Sequence, residues 1–253
     1  MHRRRVLKLF TGLAVCPLCA STGFAEEKHR WSYEGETAPD KWGSLDTAAA
    51  TCSTGDQQSP IDITGAISAR QPQLEFAWNK RPDTIVNNGH TIQLSFTEGN
   101  TLQVGDRSLG LAQLHFHHPS EHRVDGKGFA MEAHFVHTAA AGGLAVVGVF
   151  IVPGKANPAF NKIVATMPAE EGAPVRADPG IDPNRMLPAS RRYYHYEGSL
   201  TTPPCSQTVD WFVLAHHIEA AEADIVRFAK LYPMNARPVQ KLDRRFILTS
   251  GKR

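Results

Sequence analysis

The chain contains no repeat, no low-complexity tract and, after its first 25 residues, no further hydrophobic segment. These absences exclude repeat arrays and a membrane-spanning helix, which needs about 20 consecutive apolar residues. Cysteine is scarce, four in 253 residues, so a disulfide-stapled framework is excluded as well. An excess of one charge sign is also missing, with 27 Lys and Arg against 25 Asp and Glu and no basic stripe. A nucleic-acid partner is therefore disfavoured. What remains is 42% hydrophobic and 21% charged, an ordinary globular composition with length for one well-filled core.

The first 25 residues read as a secretory signal. "MHRRRVLKLF" is basic, "LFTGLAVCPLCA" is apolar but too short to cross a bilayer, and small residues follow up to "TGFA". Cleavage is placed after Ala25, with Ala20 as the alternative, leaving a mature domain of residues 26–253. The stretch from His2 to Lys8 resembles a twin-arginine export signal, with His2 where serine is usual and Val6 in place of phenylalanine. Loss of Arg3, Arg4, Arg5 and Lys8 turns a formal charge of +2 into −2. Export to the periplasm, or secretion, follows. Cys52 and Cys205 then remain in an oxidising compartment, where one disulfide is their simplest state.

Short strand-like runs bounded by Gly, Asn, Asp and Pro dominate: "TIVNNGHTIQLSF", "TLQVGDRSLGLAQLHFHH", "GFAMEAHFVH", "LAVVGVFIV", "VDWFVLAH" and "RRFILTS". Residues 91–96 alternate apolar and polar, as a half-buried strand does, whereas "LAVVGVFIV" is apolar throughout and reads as buried on both faces. Helical periodicity is confined to 219–232 and, more weakly, 157–167. The fold class expected is a single mainly β domain with few short helices. The stretch "MPAEEGAPVRADPGIDPNRMLP" reads as a long surface loop.

The run "QLHFHHPSEH" (113–122) holds four of the twelve histidines. His115 and His117 are two apart, so on a strand both rings point the same way, with a spacing of about 6–7 Å. The turn-like "DGKG" allows a returning strand to bring a third. A loop at Asp125-Gly126 sets His117 opposite His134; a loop at Gly126-Lys127 sets Pro119 there instead. In either register His134 shares the face of His115 and His117, while a three-residue loop would reverse it. Pro119 should bend the hairpin. Three histidines with an open fourth position are the pattern of a catalytic rather than a structural zinc, one Zn2+ per chain. Gln113 and Glu132 each stand two residues before a proposed ligand and could accept its other ring N–H. His118 and His122 have the wrong parity, His137 lies on the far face, and His29, His216 and His217 show no partner pattern.

Cupins also carry a His-x-His, and residues 115–128 fit their first metal motif with Glu121 as a ligand. Their second motif is missing, since His134 follows Met131-Glu-Ala and position 138 is threonine.

The fuller resemblance is to the α-class carbonic anhydrases, over nearly the whole mature chain. "WSYEGETAPDKWGSL", "QQSPIDI", "NNGH", "QLHFHHPSEH", "EAHFVH", "LAVVGVF", "GSLTTPPC" and "NARPVQ" occur in that family's order. The segment between His117 and Glu121 is shorter than in the animal members. The resemblance implies one domain on a large twisted, mostly antiparallel sheet with the metal near the bottom of a cone-shaped cleft. It carries zinc ligation onto His115, His117 and His134, and a disulfide onto Cys52 and Cys205. It implies reversible hydration of carbon dioxide to bicarbonate, oriented by Thr201 donating to Glu121, with Thr202 lining the same spot. It places Val136, Val146, Leu200, Val209 and Trp211 as an apolar wall for the substrate, and His90 as the proton shuttle. The expected partners are carbon dioxide and bicarbonate, with room left for a homodimer. Some relatives have lost zinc ligands and act as binding modules; here all three histidines, Glu121 and Thr201 are present.

Overall fold

The computed structural model describes residues 31–139 and 142–251. The proposed signal segment, with Cys16 and Cys19, and also His29, lie outside them. Because apolar residues alternate along most strands, the chain builds a sheet with two different faces. It has 13 strands, and its main path runs Val175–Arg176, Thr84–Asn87, Ile92–Ser95, Arg107–His117, Met131–Ala139, Leu144–Pro153, Val209–Leu214, Tyr193–Gly198, Leu248–Ser250 and Ile67–Ala69. Most pairings are antiparallel; Leu144–Pro153 is parallel to both Val209–Leu214 and Ile218–Ala220. "LAVVGVFIV" is indeed a central strand, buried almost throughout.

One face carries the main core. Leu114, Phe116, Met131, Ala133, Phe135, Ala145, Val147, Phe212 and Leu214 lie in it. The helix Pro158–Thr166 covers this face with Phe160, Ile163 and Val164, and Glu222–Leu231 adds Ile225 and Phe228. Pro158 occupies the first turn of the former helix, and the Asn157 side chain accepts from the N–H groups of Ala159 and Phe160, a regular N-cap. Phe116, between the two histidines in sequence, packs on Phe160 and Phe228 from this side. The second helix starts later than residue 219, because Ile218–Ala220 is drawn into the sheet beside Leu144–Pro153. The expected surface loop is also more structured than its Pro and Gly content suggests. It holds Val175–Arg176 and the 3-10 turn Pro183–Met186, and buries Ile181 and Met186.

The hairpin register differs from both expected ones. His115 faces His134, and His117 faces Glu132. The Asp125-Gly126 turn exists, with both residues at positive φ and Val124 bridged to Lys127. Arg123–Val124, however, leaves the sheet to pair with Asp62–Ile63. The N–H groups of Glu121 and His122 bond to the Glu132 carboxylate rather than to a strand partner. Two residues thereby drop out of the ladder. An even slip keeps each side chain on its face, so His134 still joins His115 and His117.

A bulge at Ala112, between Leu111 and Gln113, turns the histidine strand over. Leu109 and Leu111 before it, and Leu114 and Phe116 after it, therefore all reach the main core, while Gln113, His115 and His117 point the other way. Cys52 and Cys205 are bonded, 153 residues apart. Closing so long a loop is worth about 4–5 kcal/mol in the chain-entropy model. Around them Trp42, Ala49 and the ring of Trp31 form a third, small core.

His137, on the main-core face, is fully buried and stacks 5.7 Å from Trp78. Burial lowers its pKa from 6.5 to about 4; the carbonyls of Ala145 and Phe135 oppose the shift, but no hydrogen bond of good geometry reaches its ring nitrogens. In this window the unfolded chain binds a proton that the folded chain refuses, so stability falls as pH drops from 6.5 towards 4. His137→Phe should remove that component. Between pH 7 and 4.5 the parent should lose about 2–3 kcal/mol more than the variant in urea unfolding, and equal losses would show that His137 is not the titrating group.

Candidate metal centre

The face opposite the main core carries a second set of side chains from the same strands. His115 and His117 come from Arg107–His117, His134 from Met131–Ala139, and one ring nitrogen of each lies within 4.8 Å of the others. His117 and His134 are fully buried. Each imidazole is tied by its other nitrogen. His115 Nδ1 donates to Gln113 Oε1 at 2.7 Å, His117 Nδ1 to the Asn235 carbonyl at 2.7 Å, and His134 Nε2 to Glu132 Oε1 at 2.9 Å. An acceptor on one nitrogen leaves a lone pair on the other. The three lone pairs, on His115 Nε2, His117 Nε2 and His134 Nδ1, face one another.

Protonating these rings is unfavourable, because the charge would be buried and set beside its neighbours. Burial lowers the pKa of all three rings, and their mutual charge lowers it further at His115. His117 Nε2 is buried and has no hydrogen-bond partner. A neutral three-nitrogen donor set with an orphaned inward atom fits a divalent ion of zinc's ligand preference. A second group, His122, Glu132 and His134, is equally close. There the atoms already bond each other, with His122 Nδ1 donating to Glu132 Oε1 at 2.8 Å and His122 Nε2 bonded to Tyr196 Oη at 2.7 Å. That group is a brace, not a vacant claw.

The sequence profile of the family described as eukaryotic-type carbonic anhydrase matches residues 37–251. A carbonic anhydrase of Nostoc sp. is 39% identical over 258 residues, covering 98% of this chain and 97% of its own. The α-carbonic anhydrase of Thermovibrio ammonificans, solved with the inhibitor sulfanilamide, superposes with a TM-score of 0.85 at 39% identity, over 87% of this chain and 99% of that one. Dioscorin, solved with ascorbate, matches at 26% identity with a TM-score of 0.82, over 88% of this chain and 99% of that one.

The chain belongs to the eukaryotic-type carbonic anhydrase family.

Beside the carbonic anhydrase histidines stands Glu121, fully buried. Its Oε1 accepts from the Arg237 N–H at 2.8 Å, while Oε2 has no hydrogen-bond partner and lies 3.4 Å from His117 Nε2. Burial pushes its carboxyl up to about 7, opposed by His134, the nearby Thr201 hydroxyl and the Arg237 N–H. Thr201 is buried and Thr202 half-buried; their loop is closed by bonds from Leu200 N to Ser206 O and from Cys205 N to Thr202 O. Val136, Val146, Val209 and Trp211 form one buried cluster, with Leu200 packed on it. The Trp211 ring lies 4.9 Å from His134. All five thus belong to one apolar cluster. His90 sits in a turn capped by Asn88 Oδ1, and its ring stacks on Trp31 at 3.6 Å.

Sequence reasoning missed the residues that hold this set together. Asn235, fully buried, accepts from His117 and from the His118 N–H, and its Nδ2 donates to the carbonyls of His90 and Phe116. Arg237 joins Glu121 to the Cys52 and Ser59 carbonyls. Both belong to "NARPVQ", where nothing but a polar side chain in a loop marked either of them.

Glu132 takes four bonds, from the His122 and His134 rings and from the N–H groups of Glu121 and His122. Burial alone would raise its carboxyl; the two rings and their hydrogen bonds hold it well below the usual range. It has no slack. Gly148, opposite His134 on the next strand, leaves it room, for a Cβ there would sit 2.9 Å from Glu132 Oε1. Gly148→Ala should therefore weaken the affinity of the three histidines for a divalent metal roughly 10–100-fold, the usual effect of disturbing a ligand's outer partner. Chelator competition would measure it, and an unchanged affinity would mean that Glu132 does not need this fit.

Proposed function

We propose that this chain catalyses the reversible hydration of carbon dioxide to bicarbonate with one zinc ion held by His115 Nε2, His117 Nε2 and His134 Nδ1. The observation that carries this reading is the convergence of three histidine lone pairs beside the buried Glu121 carboxylate, within reach of the Thr201 hydroxyl. When bound, zinc lowers the pKa of a coordinated water into the neutral range, behaviour established for carbonic anhydrases as a class.

The protein's own residues aim and serve that chemistry. An ionised Glu121 can only accept, so the single proton of Thr201 goes to it and the hydroxyl's lone pairs turn towards the cavity. A nucleophile in the cavity must then donate to Thr201, which orients its attacking lone pair at the substrate carbon. The Thr201 N–H and Thr202 hold the product's oxygens. Val136, Val146, Leu200, Val209 and Trp211 give carbon dioxide, which is small and apolar, a wall without hydrogen-bond anchors. His90 passes the released proton to solvent, imidazole being the side chain that titrates near neutral pH. Gln113 and Glu132 set the tautomers.

We further propose that residues 26–253 form the exported mature enzyme, released from a signal ending at Ala25 and carried to the periplasm by the twin-arginine route. The Cys52–Cys205 disulfide suits an oxidising compartment. Among the described residues no helix is long and apolar enough to cross a membrane.

A second reading is a zinc-binding module without catalysis, because the three-histidine donor set would hold the ion whether or not hydration follows. Carbon dioxide hydration by the purified mature protein separates the two. Chelation should abolish activity and zinc should restore it, His117→Asn should be inactive, and Thr201→Ala should cost about 100-fold while Thr201→Ser keeps most of the rate. Bound zinc without hydration would select the second reading.

A further inference from the structure

Far from the histidines, at the edge where Leu248–Ser250 and Ile67–Ala69 end the sheet, lies a groove of about 990 Å³. Three guanidinium groups line it, those of Arg70, Arg191 and Arg192, and no carboxylate does. It shares no residue with the metal centre. Tyr193 in its floor belongs to the main core, on the sheet face opposite the histidines, and its hydroxyl donates to the Pro72 carbonyl at 2.7 Å, fixing the loop that carries Arg70.

Some arginines of the described residues find carboxylates, as Arg81 does with Asp182 and Arg107 with Asp210. Here they do not. Arg191 Nη1 and Arg192 Nε are buried atoms with no acceptor. The Arg191 guanidinium is held 5.5 Å over the Phe76 ring, so its fork is positioned before any ligand arrives. Buried donors left unsatisfied cost stability, and a cation there costs more. The exposed Arg70 adds a third positive charge to the groove, and the three repel one another. An anion relieves both costs at once, and planar forks match the paired oxygens of a tetrahedral oxyanion. Ser68, Gln71 and Ser250 add neutral polar groups around the rim.

We propose that this groove is a binding site for a multiply charged oxyanion of the phosphate class, taken either as the free anion or as a lipid headgroup. A tetrahedral oxyanion has acceptor oxygens for two forks at once, and its second negative charge offsets more of the positive charge of three arginines.

The test uses the zinc-loaded protein titrated with inorganic phosphate near pH 7.5, followed by NMR on the arginine Nε–H signals. The Arg191 and Arg192 signals should move saturably. Affinity should fall about tenfold or more in Arg191→Gln with Arg192→Gln, the effect of deleting charge-assisted bonds. Arg70→Gln, an exposed position without structural bonds, should weaken binding in a chain that still melts and hydrates carbon dioxide like the parent. A parallel arm measures flotation with vesicles of phosphatidylglycerol against phosphatidylcholine. Arginine-dependent capture by the anionic vesicles assigns the headgroup source, and phosphate binding without capture assigns the free anion. The proposal falls if phosphate moves neither arginine signal and the anionic vesicles capture nothing, or if the variants bind as the parent does.

Discussion

Everything at the metal centre depends on which nitrogen of each imidazole is already taken. A neutral histidine offers one donor and one acceptor, so an acceptor on one side leaves a lone pair on the other. The carbonyl of Asn235, the Gln113 amide and the Glu132 carboxylate supply those acceptors. Were any of them lost, a ring could turn its proton inward, and three nitrogens in one small cavity would cease to be a set of donors.

The acceptors differ in how they are supported. Gln113 is local, two residues from its partner on the same strand. Glu132 is a junction, because the N–H groups it receives from Glu121 and His122 are those of the two residues that leave the ladder. The excursion that shifts the hairpin register is thus the means by which Glu121 is delivered beside His117. Asn235 reaches from a distant loop to His90, Phe116, His117 and His118, so one side chain and its backbone connect the histidine strand to the turn that carries His90. Arg237 extends the chain of contacts to Cys52, and hence to the disulfide and the Thr201 loop.

The division of the sheet into two faces separates stability from chemistry. Phe116, Phe135, Val147 and Phe212 fill the main core, while their sequence neighbours His117, His134, Val146 and Trp211 lie on the opposite face of the sheet. Rigid packing on one side therefore fixes ring positions on the other, as a catalytic constellation requires. The small third core around the disulfide, with Trp31, Trp42, Cys52 and Cys205, stands next to the His90 ring.

Much of this was legible in the sequence. The alternation at 91–96, the unbroken apolar run at 144–152 and the His-x-His spacing are local patterns, set by the two-residue period of a strand, and they named the fold class and the three histidines. The shared face of His134 followed from parity and survived a register shift because that shift was even. The register itself was not legible, since nothing in "DGKG" says that Arg123–Val124 will pair with Asp62–Ile63. Nor was the bulge at Ala112, a residue with no turn chemistry. The tautomers of the histidines, the vacancy on Glu121 Oε2 and the role of Asn235, 118 residues from His117, belong to tertiary structure alone. A side chain's local spacing is written by its own strand, but the partner of a buried nitrogen is whatever the folded chain brings within about 3 Å.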